Sequence, residues 1–277
     1  MLTQCIQQTS LRPFLKWAGG KSKLLTQYIP YFPKNLKTYY EPFLGGGAVF
    51  FYLQPKNAVL TDINLELINA YRCVRDNLEQ LIPLVEKHQQ RHTKDYYYQV
   101  RSQSVTTELE RAARFIYLNK TCFNGLYREN SKGLFNVPIG KSKSPKVYNT
   151  SLLGSVSVAL QFAQIEARAF DSVMDYAKSD DFVCFDPPYY PLSPTSNFTA
   201  YNYCSFNEFD QIRLKNKFVE LAERGVKVML SNSDCLFIRE LYNNFKIYEI
   251  AAARAINSKA GKRGKITEIL ITSYWMQ

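Results

Sequence analysis

The segment EPFLGGGA, residues 41–48, places an acid and three consecutive glycines between a predicted strand at 38–43 and a predicted helix at 48–52. Glycine has no side chain to keep a ligand away from the backbone, and open α/β sheets bind cofactors at the carboxyl ends of their strands. The segment therefore predicts a cofactor loop, whose candidate binding residues are Glu41, Phe43, Gly45 and Gly47. A plain tight turn is the rival interpretation.

On both sides of this loop, short β-branched or aromatic runs alternate with helical patterns, which is typical of an α/β sheet with crossover helices. The predicted strands are 38–43, 57–61, 164–169, 182–186, 227–231, 246–253 and 267–274, and the predicted helices are 21–29, 48–52, 65–76, 107–119, 207–223 and 233–242. The interval 77–160 interrupts this rhythm with helical, basic and Gly/Asn-rich sequence. We therefore predict one domain made of residues 1–76 and 161–277, with residues 77–160 inserted into it as a second domain.

Two further segments supply polar groups for a cofactor. LTDIN, residues 60–64, sets Asp62 at the tip of the second predicted strand. A carboxylate there suits hydrogen bonds from ribose hydroxyls, and a helix N-cap is its rival role. PFLKWAGGK, residues 13–21, offers Trp17 to cover an apolar part of the cofactor and Lys21 to pair with a carboxylate of it.

The motif Asp186-Pro187-Pro188-Tyr189 follows a predicted strand directly, so its carboxylate is expected at the same sheet edge as the glycine loop. Prolines have no backbone donor and leave carbonyls that only accept. An aromatic amine needs two acceptors for its N–H groups and a π-surface under its ring. Asp186 and the Pro187 carbonyl can supply the acceptors and Tyr189 the surface, whereas an Asx-type turn before the prolines is the rival interpretation.

The distribution of charge indicates a polyanionic partner. The formal net charge is +11, of which residues 111–149 carry +7 and residues 254–265 carry +5. Clustered cations suit phosphates, because each neutralised phosphate releases condensed counterions. Phe123, Asn124 and Tyr127 lie within the first cluster, and stacking groups beside cations are typical of nucleic-acid binding. Two solvated basic loops are the alternative.

Composition limits the other classes of function. The chain has 277 residues, of which 46% are hydrophobic and 21% charged, as in ordinary globular proteins. The six cysteines are scattered singly and there are two histidines, which leaves little from which to build a metal site or a disulfide framework. We expect no metal. Since no apolar run reaches about 18–20 residues and the N-terminus lacks a signal-peptide pattern, we expect a soluble, cytoplasmic protein.

Five segments together resemble the Dam-type (D12 class, alpha group) site-specific DNA adenine-N6 methyltransferases. They are FLKWAGGK at 14–21, EPFLGGG at 41–47, CFNGLYRENSKGLFNVPIG at 122–140, DPPY with LSPTSNFTAY between 186 and 201, and SNSD at 231–234. DPPY occurs in other amino-methylating enzymes too, but this motif order with an inserted domain is more specific. The resemblance implies a Rossmann-like sheet that binds S-adenosylmethionine, with a mainly helical target-recognition domain at 77–160 that binds double-stranded DNA.

The resemblance also implies roles for single residues. Trp17, Lys21, Asp62 and Asp186 would contact the cofactor, and Phe170 and Asp171 would lie near its adenine ring. Phe123 and Asn124 would fill or flank the space left by a flipped adenine, and Leu126, Arg128 and Pro138 would read GATC. Lys16 matches a DNA-contacting lysine, and the further candidate DNA contacts are Asn197, Lys259, Lys262 and Arg263.

The chemistry of two of these residues agrees with the resemblance. A guanidinium such as that of Arg128 matches guanine O6 and N7 bidentately, and an apolar Leu126 suits a thymine methyl group. The chain departs from the family pattern at Phe123, where some relatives have tyrosine, and at Ile139, where phenylalanine is frequent. Neither change alters a hydrogen-bonding group, so we expect shifted affinity and unchanged specificity.

The favoured hypothesis is an enzyme that flips adenine out of double-stranded DNA and methylates its N6. The same motif would also accept cytosine N4, RNA adenine or a protein glutamine amide, and the basic clusters argue against a protein acceptor. A DNA-binding relative that has lost catalysis is a third hypothesis, against which the intact Asp186, Tyr189 and Asp62 argue. We expect a monomer, and a cognate restriction endonuclease is a candidate partner that the sequence neither requires nor excludes.

Overall fold

The computed structural model describes residues 11–142, 144–192, 206–253 and 265–275. In these ranges seven strands form one sheet in the order β3-β2-β1-β4-β5-β7-β6. The strands are Tyr39–Glu41 (β1), Ala58–Asp62 (β2), Ala163–Ala167 (β3), Phe182–Phe185 (β4), Lys227–Ser233 (β5), Lys246–Ala253 (β6) and Lys265–Thr272 (β7). Strands β1 to β5 run parallel, and β7 is antiparallel to both β5 and β6. The predicted α/β class is confirmed, and each strand overlaps a predicted one.

The helices in the described residues are Leu25–Tyr28 (α1), Ala48–Leu53 (α2), Leu65–Asp76 (α3), Leu78–Gln90 (α4), Lys94–Ser102 (α5), Glu108–Thr121 (α6), Thr150–Leu160 (α7), Glu208–Glu223 (α8) and Leu236–Leu241 (α9). The single helix predicted at 21–29 is wrong. Helix α1 lies between two short 3-10 turns, at Lys21–Lys23 and Ile29–Tyr31. Pro30 has no backbone N–H with which to continue α1. In the ranges described, no helix combines the length and the apolar character that crossing a membrane requires.

The strand order reverses between β1 and β4, since β1 continues the sheet toward β2 and β4 toward β5. Open α/β sheets bind ligands at such a reversal, in the crevice outside the carboxyl ends of the strands. The glycine loop follows β1, and Asp186 follows β4. The topology therefore brings the two main candidate segments to one crevice.

The sheet is buried on both faces, because alternate side chains of its strands enter two different apolar clusters. In β4, Phe182 and Cys184 belong to one cluster, and Val183 and Phe185 belong to the other. Helices α8 and α9 contribute Leu214 to the second cluster together with Phe218 and Ile238. With both faces covered, the open side of the sheet that remains for a ligand is the edge formed by the strand ends.

The interval between β2 and β3 contains α3 to α7, as the predicted insertion requires. Helix α6 packs against α3 and α4, and α7 also packs against α3. Tyr97 of α5 and Phe115 of α6 lie in the same apolar cluster as Tyr71 of α3. The inserted residues 77–160 thus share a hydrophobic core with the sheet, and their role as a separate recognition domain stays a prediction.

Candidate active site

The glycine loop is held in a conformation that requires glycine. Gly45 and Gly47 have φ of +45° and +66°, the left-handed region that side chains disfavour. A Cβ at Gly45 would lie 2.6 Å from Trp17 Cδ1, so the loop backbone and the indole are in direct contact. The Tyr71 hydroxyl donates to the Gly45 carbonyl at 3.1 Å. Trp17 and the loop therefore form one surface at the carboxyl end of β1.

Asp62 organises this loop from the neighbouring strand. Its Oδ2 accepts from the Gly45 amide at 3.1 Å, and its Oδ1 accepts from the Asn64 amide at 3.0 Å. Burial raises the pKa of Asp62, although these amide bonds act in the opposite direction. The N-cap of α3 is Asn64, whose side chain accepts from the Leu67 amide, so the rival N-cap role for Asp62 is wrong. Each Asp62 oxygen keeps lone pairs that can accept from hydroxyls of a ligand.

Asp186 forms a buried ion pair with the lysine of the FLKWAGGK segment. Lys21 Nζ lies 2.8 Å from Asp186 Oδ1, and the Lys21 side chain is only 4% exposed. Lys21 Nζ also donates to the Gly19 carbonyl at 2.7 Å. Burial is the largest single influence on Lys21 and lowers its pKa. The Asp186 charge and several smaller interactions act in the opposite direction, and their sum exceeds the effect of burial, so the pKa is raised. The sequence-based hypothesis paired Lys21 with a carboxylate of the cofactor, and in the structure its carboxylate partner is Asp186.

The remaining contacts fix the Asp186 loop to β5 and α8. Ser231 Oγ donates to Asp186 Oδ1 at 2.7 Å, and the Asn232 side chain accepts from the Tyr190 amide at 3.1 Å. Gln211 Nε2 donates to the Pro188 carbonyl at 3.0 Å. Within the described residues no donor reaches Asp186 Oδ2 or the Pro187 carbonyl. These two acceptors are therefore unengaged in the described part of the chain, and their role toward a planar amine stays a prediction.

Tyr189 is held from two sides. Its hydroxyl donates to Glu268 Oε2 at 2.7 Å, and Lys21 Nζ lies 4.4 Å from its ring centroid. Burial raises the pKa of Tyr189 well above its ordinary value, and the charges of Asp186 and Glu268 act in the same direction. Tyr189 therefore stays protonated and keeps donating to Glu268.

Glu41 lies beneath the loop and is 4% exposed. Its Oε2 accepts from the Tyr39 hydroxyl at 2.9 Å and from the Phe50 amide at 3.2 Å. Burial raises the pKa of Glu41 to about 8. Helix α2 begins after Gly47 without a side-chain cap of its own, so Glu41 satisfies one of its unpaired amides. These contacts support the loop from below, and a direct contact of Glu41 with cofactor stays a prediction.

The third side of the crevice is aromatic. The Phe43 and Phe170 rings stack with centroids 5.4 Å apart, and the Arg213 guanidinium lies 4.7 Å from the Phe170 centroid. Phe170 is 4% exposed, while the neighbouring Asp171 is half-buried. The Phe170 ring is thus in contact with Phe43 and with Arg213. The proximity of Phe170 and Asp171 to the cofactor adenine stays a prediction.

The candidate DNA-contacting segment forms a hairpin-like loop after α6. Cys122 bridges to Ile139 and Glu129 bridges to Phe135 in antiparallel fashion. Phe123 and Asn124 are exposed at its base, and Asn124 has a left-handed φ of +55°. A residue held in that region stores strain, which is frequent at functional sites.

Lys16 ties this turn to the crevice. A Cβ at Gly125, whose φ is +65°, would lie 2.4 Å from Lys16 Cβ. Lys16 Nζ donates to the Lys120 carbonyl at 3.2 Å. Burial lowers the pKa of Lys120 to about 8, and the charges of Lys16 and Arg12 act in the same direction. The base of the hairpin-like loop is therefore strongly electropositive.

The candidate base-reading residues lie along the same hairpin-like loop. Arg128 Nε donates to Asn136 Oδ1 at 2.6 Å, and the Asn136 amide donates to the Arg128 carbonyl at 3.0 Å. Leu126 is half-buried and Pro138 is exposed. The candidate DNA contacts Asn197, Lys259, Lys262 and Arg263 lie outside the described residues.

Sequence reasoning missed two residues of the site, Glu268 and Tyr28. Glu268 is the one charged residue in the segment ITEILIT of β7, residues 266–272, and this exception to the strand pattern is the signal that could have found it. The Tyr28 hydroxyl is buried and has no partner among the described residues. Burial raises its pKa well above the ordinary value. No sequence signal distinguishes Tyr28 from an ordinary core tyrosine.

Comparisons with known proteins agree on one family. A profile of the D12 class N6 adenine-specific DNA methyltransferases matches residues 17–256. "Type II methyltransferase M1.LlaDCHI" of Lactococcus lactis subsp. cremoris is 46% identical over 96% of both chains. "Type II methyltransferase M.MjaIII" of Methanocaldococcus jannaschii is 42% identical over 95% of this chain and 99% of its own. "DNA adenine methylase" of Escherichia coli (strain K12) is 36% identical over 94% of both chains.

Proposed function

The chain belongs to the D12 class N6 adenine-specific DNA methyltransferases, and from that premise we propose that it flips the adenine of GATC out of double-stranded DNA before methylating N6. Membership makes it an S-adenosylmethionine-dependent enzyme that methylates adenine in DNA. One observation carries the finer proposal. Asp186 is fixed at Oδ1 by Lys21 and Ser231, while its Oδ2 meets no donor in the part of the chain described.

The crevice fits S-adenosylmethionine. Gly45 and Gly47 bring backbone to the surface, Trp17 offers an indole beside them, and Asp62 places a carboxylate at the tip of β2. We assign Asp62 to the ribose hydroxyls and the Trp17 surface to an apolar part of the cofactor. When bound, the cofactor supplies an electrophilic methyl group on a sulfonium.

The residues after β4 orient the adenine amine. Asp186 Oδ2 and the Pro187 carbonyl would each accept one N6–H, which would turn the nitrogen lone pair toward the methyl group that the cofactor supplies. The ring face of Tyr189 opposite Lys21 stacks on the adenine. Lys21 and Ser231 hold Asp186 Oδ1 in place, so the carboxylate is oriented to stabilise the positive charge that develops on N6. Proton loss then follows methyl transfer.

Base flipping is required because an adenine inside the duplex cannot present N6 to the crevice, and extrusion costs a few kcal/mol. We propose that Phe123 and Asn124, both exposed, fill or flank the vacated space. They lie on the turn that packs against Lys16, next to Trp17 of the crevice. We propose that the basic group of Arg12, Lys16 and Lys120 contacts phosphates of the same DNA segment.

We propose that Arg128 reads a guanine of GATC, with Leu126 and Pro138 contacting neighbouring bases. Asn136 holds the Arg128 side chain at 2.6 Å, which fixes its direction before DNA binds. A bidentate guanidinium–guanine pair discriminates by about 1–3 kcal/mol. The basic residues at 259, 262 and 263 and Asn197 remain proposed DNA contacts on sequence grounds.

The test is a set of initial methylation rates on duplexes that carry GATC or one substitution of it. Arg128→Ala is expected to lose discrimination at one base pair while permissive sites are still methylated slowly. Lys132→Ala is the matched control, because Lys132 is an exposed cation of the same hairpin-like loop and its loss should lower all rates by one factor. Equal proportional losses for Arg128→Ala on every duplex would refute base reading, and a wild-type preference for another tetranucleotide would refute GATC.

Membership of an adenine-specific class of DNA methyltransferases argues against the alternatives that the sequence left open, namely a cytosine N4 or RNA adenine acceptor and a relative that has lost catalysis. A cytoplasmic location, a monomeric state and a cognate restriction endonuclease as second partner stay predictions; two relatives carry the name Type II methyltransferase.

A further inference from the structure

A carboxylate on β7 contacts the hydroxyl of Tyr189, and the mechanism above gives it no role. Glu268 Oε2 accepts from Tyr189 at 2.7 Å. In the register of β5 and β7, Glu268 pairs with Ser233, the last residue of β5. Ser231 of the same strand β5 donates to Asp186. The carboxylate therefore enters the site from the antiparallel part of the sheet, which none of the sequence motifs covers.

The contact constrains the aromatic ring. Lys21 Nζ covers one face of Tyr189, so a base can stack only on the opposite face. A phenol hydrogen bond anchors the far end of the ring and prevents it from swinging about the Cα–Cβ bond. A hydrogen bond to a charged acceptor is stronger than a neutral one, and the hydroxyl keeps its proton at neutral pH because the Tyr189 pKa is raised.

We propose that Glu268 is a positioning residue for methyl transfer, which holds Tyr189 by its hydroxyl so that the face opposite Lys21 stays aligned with the target adenine. The inference rests on the stacking role of Tyr189 in the proposed function. Glu268 touches neither substrate nor cofactor in this role. Its effect must therefore pass entirely through the Tyr189 hydroxyl.

The test compares single-turnover methylation rates of Glu268→Ala, Glu268→Gln, Tyr189→Phe and the double variant Glu268→Ala/Tyr189→Phe. Glu268→Ala should lower the rate by roughly 10- to 100-fold, because misplacement by about 1 Å near a reacting group can cost about 100-fold. Tyr189→Phe should lose as much, and the double variant no more than either single one. Glu268→Gln should stay within about 3-fold of wild type, because an amide oxygen can still accept.

Two readouts separate positioning from a merely structural effect. Cofactor affinity and the KM for DNA should stay unchanged while the single-turnover rate falls. Glu249→Ala is the matched control, since Glu249 is a carboxylate on the adjacent strand β6, is 63% exposed and pairs with Arg239. Its rate should equal that of the wild type.

Three outcomes would overturn the proposal: a fully active Glu268→Ala, a Glu268→Gln as slow as Glu268→Ala, or a double variant slowed by the product of the two single effects. Should Glu268→Ala not fold, Glu268→Gln must still be faster than Tyr189→Phe. The proposed function is tested separately by wild-type fluorescence with 2-aminopurine at the target position. A missing signal there refutes flipping, whereas a normal signal with additive variants refutes Glu268 alone.

Discussion

Removing Asp186 is expected to damage both catalysis and folding, and the two effects can be separated. Asp186→Ala deletes the acceptor at N6, and it also leaves the Lys21 ammonium, 4% exposed, without its carboxylate at 2.8 Å. The double variant Lys21→Met/Asp186→Ala removes both charges and leaves no ammonium buried. Catalysis should be lost in both variants, whereas stability should be lost mainly in the single one.

The size of the stability loss follows from the burial of the pair. Breaking a buried ion pair costs about 3–5 kcal/mol, and the lower end applies here because 24% of the Asp186 side chain is exposed. At about 2–4 °C per kcal/mol for chains of this size class, Tm should fall by about 6–12 °C. Without Asp186, burial lowers the pKa of Lys21, so the loss should shrink as the pH rises and Lys21 becomes neutral. The methylation rate should fall by about 100-fold or more.

The assay pairs thermal unfolding at several pH values with single-turnover transfer from labelled cofactor. An unchanged Tm for Asp186→Ala would refute the buried pair, and failure of the double variant to recover stability would refute the reason given for the loss. A rate above a tenth of wild type would remove Asp186 from the mechanism. Ser231→Ala is the intermediate case, because it deletes one hydrogen bond to Asp186 and keeps the ion pair.

Three further predictions concern the glycine loop, its support and the DNA contacts. Burial raises the pKa of Glu41 to about 8, so the stability that protonated Glu41 confers is complete below about pH 4.5 and is lost as the pH rises through 8. The loss amounts to a few kcal/mol, at about 1.4 kcal/mol per pKa unit. Glu41→Gln should therefore make Tm fall less steeply over this pH range. Gly45→Ala should weaken cofactor binding measured by calorimetry. Gly133→Ala is its control, because Gly133 has φ of +72° and no atom lies within 4 Å of the added Cβ. It should lower the free energy of unfolding by the backbone strain alone, about 1–2 kcal/mol. The third change replaces Lys259, Lys262 and Arg263 together with neutral residues. The slope of log DNA affinity against log salt concentration should become shallower by about 0.9 for each phosphate that these residues neutralise in the wild type. An unchanged slope would identify a solvated loop.

The strands could be predicted from the sequence because a strand that is buried on both faces of a sheet is a continuous run of apolar residues. Phe182–Phe185 is such a run, with all four residues buried. The helix predicted at 21–29 forms three short elements, of which α1 ends before Pro30 because proline has no backbone N–H with which to continue it. Local pattern and local covalent chemistry conflict there, and the covalent constraint prevails.

The positions of Asp62 and Asp186 at the carboxyl ends of β2 and β4 could be predicted from the sequence. The interaction partners of the charged side chains could not be predicted in this way. Lys21 is 165 positions from Asp186 and Glu268 is 79 from Tyr189, so their pairing depends on how the sheet brings distant segments together. Glu41 was assigned to the cofactor because of its motif, but burial and the Phe50 amide show that it also supports α2. A motif identifies which residue types are present, whereas the partner of each charge is a property of the folded chain.

Residues 16 and 17 connect the crevice to the hairpin-like loop. The proposed cofactor site and the proposed base-reading residues therefore contact the same two residues. Trp17 contacts the glycine loop on one side and stacks on Tyr127 on the other, with centroids 6.0 Å apart. The backbone of Lys16 is fixed at both its amide and its carbonyl by the Asn119 side chain of α6. Tyr127 lies between Leu126 and Arg128 in the chain, so this ring contact joins the crevice to the proposed base-reading residues. We therefore expect DNA recognition and cofactor binding to be energetically coupled, because the two proposed sites share the contacts of Lys16 and Trp17.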